Sequence, residues 1–83
     1  MSKYTGLALI TGATQPDLES KMLDALAPFT IKILDKQNMD IRGRYFLAIY
    51  FSLDQAHERA ITKDLEEMAL RNGVDLAIDY QSE

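Results

Sequence analysis

The sequence predicts an α+β fold in which a four-stranded antiparallel sheet carries two helices on one face, in the order β-α-β-β-α-β. Three observations predict it. A short apolar run opens the chain, two stretches have apolar residues at steps of three and four, and an aromatic and β-branched run follows a glycine turn. The 83 residues fit a single domain over 1–83, and an apolar content of 47% is enough for one core. A domain this small buries a modest share of its surface, which predicts marginal stability.

"YTGLALIT", Tyr4–Thr11, is short and mostly apolar, as expected of a strand in the middle of a sheet. A loop from Gly12 follows. Leu18, Met22, Ala25, Leu26 and Phe29 then form one stripe of a helix packed on a core. "TIKILDKQNMDI", Thr30–Ile41, roughly alternates and reads as a strand. Arg42–Arg44 is a turn in which Gly43 is free to take positive φ, and "YFLAIYF", Tyr45–Phe51, closes the hairpin. Ser52 or Asp54 can cap a second helix, whose stripe is Ala56, Ala60, Ile61, Leu65, Met68 and Ala69. Asn72–Gly73 is a good helix end. "VDLAIDY" alternates, with Val74, Leu76, Ile78 and Tyr80 on one face.

This order is the split βαβ, ferredoxin-like pattern. Right-handed crossovers place both helices on one face. The Gly12 loop, the far end of the second strand and the Arg42 turn then share one end of the sheet. If Tyr45, Leu47, Ile49 and Phe51 point to the helices, Phe46, Ala48 and Tyr50 point away, and Ala8, Ile10, Leu34 and Ala77 are expected to join them. An uncovered sheet face usually reads more polar than this. The patch points to a partner or a second subunit, against the plain alternative of scattered surface apolars.

Composition removes several function classes. The formal net charge of −4 argues against a nucleic-acid partner and against adhesion to an anionic membrane. The absence of cysteine excludes disulfides, thiolate metal sites and a cysteine nucleophile. No apolar run approaches the ~20 residues that cross a bilayer, and "MSKYTG" lacks the apolar stretch of a signal peptide. The expectation is a soluble, cytoplasmic domain.

Little in the chain does chemistry. His57, the single histidine, has Ala56 and Glu58 beside it and reads as a solvated helix residue rather than a metal ligand or catalytic base. Glu66 and Glu67 read as a solvated helix face. Neither a phosphate loop nor a dinucleotide-binding glycine motif is present, so no catalysis and no cofactor are expected. "RGRYFLAI", Arg42–Ile49, partly matches an RNA-binding signature. Arg44 and Ile49 stand where stacking rings belong, and the first strand supplies no aromatic partner, so RNA binding is set aside.

The loop "GATQPDLESK", Gly12–Lys21, supports two readings. As structure alone, Thr14 is the helix N-cap and Asp17 reaches back to it, the reciprocal capping pattern, with Pro16 in the first turn. As a site, the helix N-terminus attracts a carboxylate or phosphate. An amino acid placed there needs an acceptor for its ammonium, and Asp35 or Gln37 on the second strand can supply it. Those two interrupt the apolar positions Ile31, Ile33, Met39 and Ile41, which signals either polar partners or a bulge on an edge strand.

"ALITGATQPD", "LDALAPFTIKILDKQ", "IRGRYFLAI" and "GVDLAIDY" together resemble the ACT domain, a small regulatory module that binds amino acids. The form most similar is the one preceding the phosphatase domain of bacterial phosphoserine phosphatases, and the resemblance spans nearly the whole chain. It implies a βαββαβ fold and homodimers formed through strand edges or the outer sheet face. It also implies a serine-like ligand between the first loop of one subunit and the second strand of its neighbour. By position the ligand-side candidates are Gly12, Thr14, Gln15, Pro16, Asp17, Leu18, Lys32, Asp35 and Gln37. The chain departs from the family at Asp17, where a glycine usually follows the proline, and at Lys32, often a small polar residue. These departures leave open an assembly module with a degenerate pocket, or a different ligand. The catalytic aspartate motif of the haloacid-dehalogenase phosphatases is absent, so within such an enzyme this chain is the regulatory part.

Overall fold

The computed structural model describes residues 4–82, and in it the predicted order is the observed one. Strand β1 (Tyr4–Ala13) is followed by helix α1 (Leu18–Leu26), strands β2 (Lys32–Ile41) and β3 (Arg44–Ser52), helix α2 (Glu58–Asn72) and strand β4 (Asp75–Ser82). The sheet order is β2-β3-β1-β4, with all neighbours antiparallel. The chain therefore has the ferredoxin-like α+β fold.

The core lies between the sheet and the helices. Leu18, Met22 and Leu26 of α1 and Ile61, Leu65, Met68 and Ala69 of α2 are buried against Leu47, Ile49 and Phe51 of β3. Val74, Leu76, Ile78 and Tyr80 pack from the β4 side, as their alternation predicts. Ala56 and Ala60 are exposed instead of joining the stripe. Asp54 accounts for Ala56: it accepts a hydrogen bond from the Ala56 N–H at 2.9 Å and caps a 3₁₀ turn, Gln55–His57, so Ala56 lies outside α2, whose buried stripe is Ile61, Leu65, Met68 and Ala69.

The facing of β1 differs from the expectation. Ala8 and Ile10 are fully buried under the helices, and Leu7 and Leu9 are the exposed residues, at 46% and 37%. The glycines set this choice. A Cβ on Gly6 would meet the Phe51 and Tyr80 rings at 3.0 and 3.1 Å, and one on Gly12 would meet Val74 Cγ1 at 2.7 Å. The even-numbered face of β1 is the one where bulky neighbours press closest, so it carries the glycines. The open face is then built by Leu7 and Leu9 with Phe46, Ala48, Tyr50 and Ala77, through the pairs Leu7↔Tyr50, Leu9↔Ala48 and Leu9↔Ala77.

Strand β2 carries the bulge that one reading of its polar residues anticipates. The register with β3 shifts between Ile33 and Asp35, placing Leu34 as the extra residue. The shift inverts the strand's facing. Ile33 pairs with core residue Phe51, whereas Asp35, Gln37 and Met39 pair with open-face Tyr50, Ala48 and Phe46. Met39 and Ile41 are exposed at 55% and 50%. The β2–β3 turn has positive φ at both Arg42 and Gly43, the signature of a two-residue hairpin turn matched to strand twist.

Candidate functional site

The loop from Gly12 to Asp17 lies where the sequence places it, at the end of the sheet that holds the Arg42–Gly43 turn. The Thr14 N–H donates to the Gly43 carbonyl at 2.8 Å, and its hydroxyl donates to Asp40 Oδ2 at 2.8 Å. Thr14 is therefore not the helix cap expected of it. Helix α1 begins at Leu18, and Asp17 stands at the N-cap in the left-handed region, φ 62° and ψ 18°. No side-chain hydrogen bond caps the first turn. A long-range tether stands in place of the local capping box: Thr14 lies three residues before the N-cap position that Asp17 occupies, and its hydroxyl donates to the charged Asp40 carboxylate.

The left-handed Asp17 gives the family glycine at this position a second meaning. Glycine takes that conformation freely, and aspartate is among the few other residues that tolerate it. The departure is thus conformationally conservative while it adds a carboxylate at the mouth of the helix.

Polar tethers hold the rest of the loop. Gln15 Nε2 donates to the Asn72 carbonyl at 3.1 Å, and Lys21 Nζ donates to Asn72 Oδ1 at 3.0 Å, joining α1 to the end of α2. Glu19 takes Lys36 Nζ at 2.7 Å and Asn38 Nδ2 at 3.2 Å, joining α1 to β2. Asp40, Glu19 and Asn72 are the residues that sequence reasoning missed. Their signal is long-range and has no local pattern.

Within one copy the candidate residues do not converge. Thr14, Gln15, Pro16 and Asp17 form the loop. Gly12 is closed on its helix side by Val74, and the Leu18 side chain is buried in the core at 2% exposure. Asp35 and Gln37 lie on the open face, where with Leu7, Lys36, Ala48 and Tyr50 they line a shallow recess of about 210 Å³. Asp35 is five residues along β2 from Asp40, about 17 Å at strand rise. Lys32 is farther still, opposite Ser52. Helices α1 and α2 also flank a larger groove, about 550 Å³, lined by Lys21, Asp24, Ala25, Met68, Arg71 and Asn72.

His57 is half-buried rather than solvated. Its ring lies 6.0 Å from that of Phe29, and its Nδ1 is buried without a hydrogen-bond partner. Among the described residues no group of three metal-ligating side chains comes together, and no helix is long and apolar enough to cross a membrane.

These features define a ferredoxin-like domain with a loop at a helix N-terminus, and comparison with known proteins gives its family. Residues 7–79 match the model of the ACT domain family, and the chain belongs to that family. Over 80 residues it is 31% identical to the phosphoserine phosphatase SerB2 of Mycobacterium tuberculosis, covering 94% of this chain and 20% of that protein. Solved structures share the fold. A formyltetrahydrofolate deformylase from Burkholderia mallei superposes with a TM-score of 0.82 at 14% identity, over 92% of this chain and 28% of its own. A putative glycine cleavage system transcriptional repressor gives 0.88 at 13% identity, over 100% and 49%. An ACT domain protein from Streptococcus pneumoniae gives 0.73 at 12% identity, over 95% and 89%. The chain spans about a fifth of the phosphatase it matches. The matched family is a regulatory module, not a catalytic one.

Proposed function

We propose that this chain is an amino-acid-sensing regulatory domain, responsive to serine or a closely related amino acid, and that it serves a phosphoserine phosphatase. The observation that carries the reading is the first turn of α1, which begins without a side-chain cap at the end of a loop held rigid by Thr14 and Gln15. Backbone N–H groups at such a turn suit a carboxylate. The ammonium is taken by Asp35 or Gln37 of a neighbouring copy, because in the same copy they lie too far along β2. Binding at a junction of two copies favours the joined arrangement, since a ligand shifts an equilibrium only through differential affinity. The 31% identity to a phosphoserine phosphatase supports the choice of enzyme.

A second reading is favoured by Asp17. Its carboxylate stands at the helix mouth and repels another carboxylate, as expected of an assembly module that has lost its ligand. Thermal unfolding against the twenty amino acids and phosphoserine separates the two. A ligand selective for the native state raises the melting temperature with its concentration. A shift for serine or a near relative upholds sensing, and no shift at ~10 mM, enough to reveal weak sites, leaves assembly alone.

A further inference from the structure

We infer that the groove between α1 and α2 is a second ligand site, and that it takes an α-amino acid with an anionic side chain. The site stands apart from the loop and does not depend on it.

Lys21, Asp24 and Ala25 of α1 and Met68, Arg71 and Asn72 of α2 line the groove, and its volume of about 550 Å³ is within the range of small-molecule clefts. The spacing i, i+3, i+4 puts each trio on one face of its helix. The Lys21–Asn72 hydrogen bond sets the start of α1 beside the last turn of α2.

The charged groups of the groove are largely unused. Among the described residues neither the Arg71 guanidinium nor the Asp24 carboxylate has a hydrogen-bond or ion-pair partner. Glu67, four residues before Arg71 and spaced to pair with it, does not. Arg71 therefore keeps its whole donor fork, and Asp24 keeps both oxygens as acceptors. Lys21 donates once, to Asn72 Oδ1 at 3.0 Å, which leaves its remaining ammonium hydrogens for a ligand. Asn72 is itself held. Its Nδ2 donates to the Met68 carbonyl at 2.8 Å, and its own carbonyl accepts Gln15 Nε2 at 3.1 Å. The Lys21 ammonium is thus positioned in advance, which lowers the ordering cost of binding.

Two cations and one anion on an apolar floor have a definite complement: two anionic groups and one ammonium, joined by a short hydrocarbon chain. An acidic α-amino acid is such a molecule. Its anionic groups meet Lys21 and Arg71, where the guanidinium fork matches a carboxylate or phosphate. Its ammonium meets Asp24, about one helical turn along α1 from Lys21. Its methylenes lie over Ala25 and the buried Met68. L-Serine lacks the side-chain anion and leaves one cation unmatched, so the groove prefers the acidic ligand.

Amide chemical shifts of the isotopically labelled 83-residue chain test the site, titrated with L-glutamate, L-aspartate and O-phospho-L-serine at low ionic strength. At least one of them shifts the amides of Lys21, Asp24, Ala25, Met68, Arg71 and Asn72 saturably. A response to O-phospho-L-serine alone assigns the side-chain anion as phosphate, and one to L-glutamate or L-aspartate alone assigns it as carboxylate. L-Glutamine, without the side-chain anion, and glutarate, without the ammonium, each bind roughly fivefold more weakly than L-glutamate if the carboxylate ligand is the one taken. Arg71→Gln weakens the acidic amino acid roughly fivefold, and so does Asp24→Asn, but Asp24→Asn does not weaken the ligand that lacks an ammonium: glutarate, or inorganic phosphate in the phosphate case. Both residues are exposed, so the variants keep the parent's unfolding temperature. No saturable shift at these residues by ~10 mM, enough to reveal weak sites, overturns the inference. So does equal binding of the ligands that lack one charge. L-Serine shifts at the loop report separately on the proposed sensing. A loop response with a silent groove retires this site and keeps that reading, and a groove response with a silent loop does the reverse.

Discussion

The two ends of the sheet are fastened by different chemistry. Where β1 begins, the closure is aromatic and hydroxyl-rich. The Tyr4 and Tyr80 rings stack at 5.9 Å with an interplanar angle of 3°, the Tyr4 hydroxyl donates to the Glu58 carboxylate, and Thr62 and Tyr80 share a hydrogen bond of 2.7 Å. Where β1 finishes, the fastening is a set of exposed polar tethers around the loop. The first end ties β1 and β4 to α2 and serves stability. The second fixes the loop's backbone through Thr14 and Gln15.

Gly12, at the root of the loop, offers the hardest test of this contrast. If its place is structural, Gly12→Ala drives a methyl into Val74, since the new Cβ sits 2.7 Å from Val74 Cγ1. Val74 is β-branched and stiff, so the expected loss is about 1–3 kcal/mol of unfolding free energy in urea titration. Adding Val74→Ala to that variant recovers part of the loss, a coupling that a double-mutant cycle reads directly.

The aromatic end is sharpened by pH. The hydrogen bond to the Glu58 carboxylate, followed by burial, pushes the Tyr4 hydroxyl from 10.0 up to about 12. The folded state thus holds the proton more tightly than the unfolded state does. The contribution is fully present below pH 10 and is lost as pH rises toward 12. Tyr4→Phe lowers stability at pH 8 and flattens its decline between pH 10 and 12, measured by chemical unfolding across that range.

Changes at the loop end are smaller. Thr14→Ala removes one exposed hydrogen bond to Asp40 and costs about 0.5 kcal/mol, while loosening the loop's backbone, seen as faster amide exchange at Gln15 and Asp17. Asp17→Gly relieves a left-handed aspartate and changes stability by less than about 1 kcal/mol, in the stabilising direction. It also removes a negative charge from the helix mouth, so it strengthens binding of an amino-acid carboxylate.

The fold was legible because the two helical stripes and the β3 run are strong periodic signals. The facing of β1 was not, because Leu7, Ala8, Leu9 and Ile10 do not alternate in polarity. The clue lay in Gly6 and Gly12, which share the parity of the core residues Ala8 and Ile10 and mark the crowded face. In β2 the bulge at Leu34 splits one apparent apolar series in two: Ile31 packs on the core, and Met39 and Ile41 face outward. The position of the loop at one end of the sheet followed from topology alone. Its tethers to Asp40 and Asn72 did not, since each joins residues 26 and 57 positions apart. The capping pattern at Thr14–Asp17 misled because the helix starts three residues later than the pattern places it, with Asp17 itself at the N-cap and Thr14 tethered to distant Asp40.

Sedimentation equilibrium of the chain, with and without L-serine, tests the central claim most directly. A ligand held between two copies binds the dimer better than the monomer, and linkage requires it to tighten the dimer. The account predicts that the dimer dissociation constant falls as L-serine is added, and that Asp35→Ala abolishes the fall. A dissociation constant that L-serine leaves unchanged, while the amino acid still binds, would contradict it.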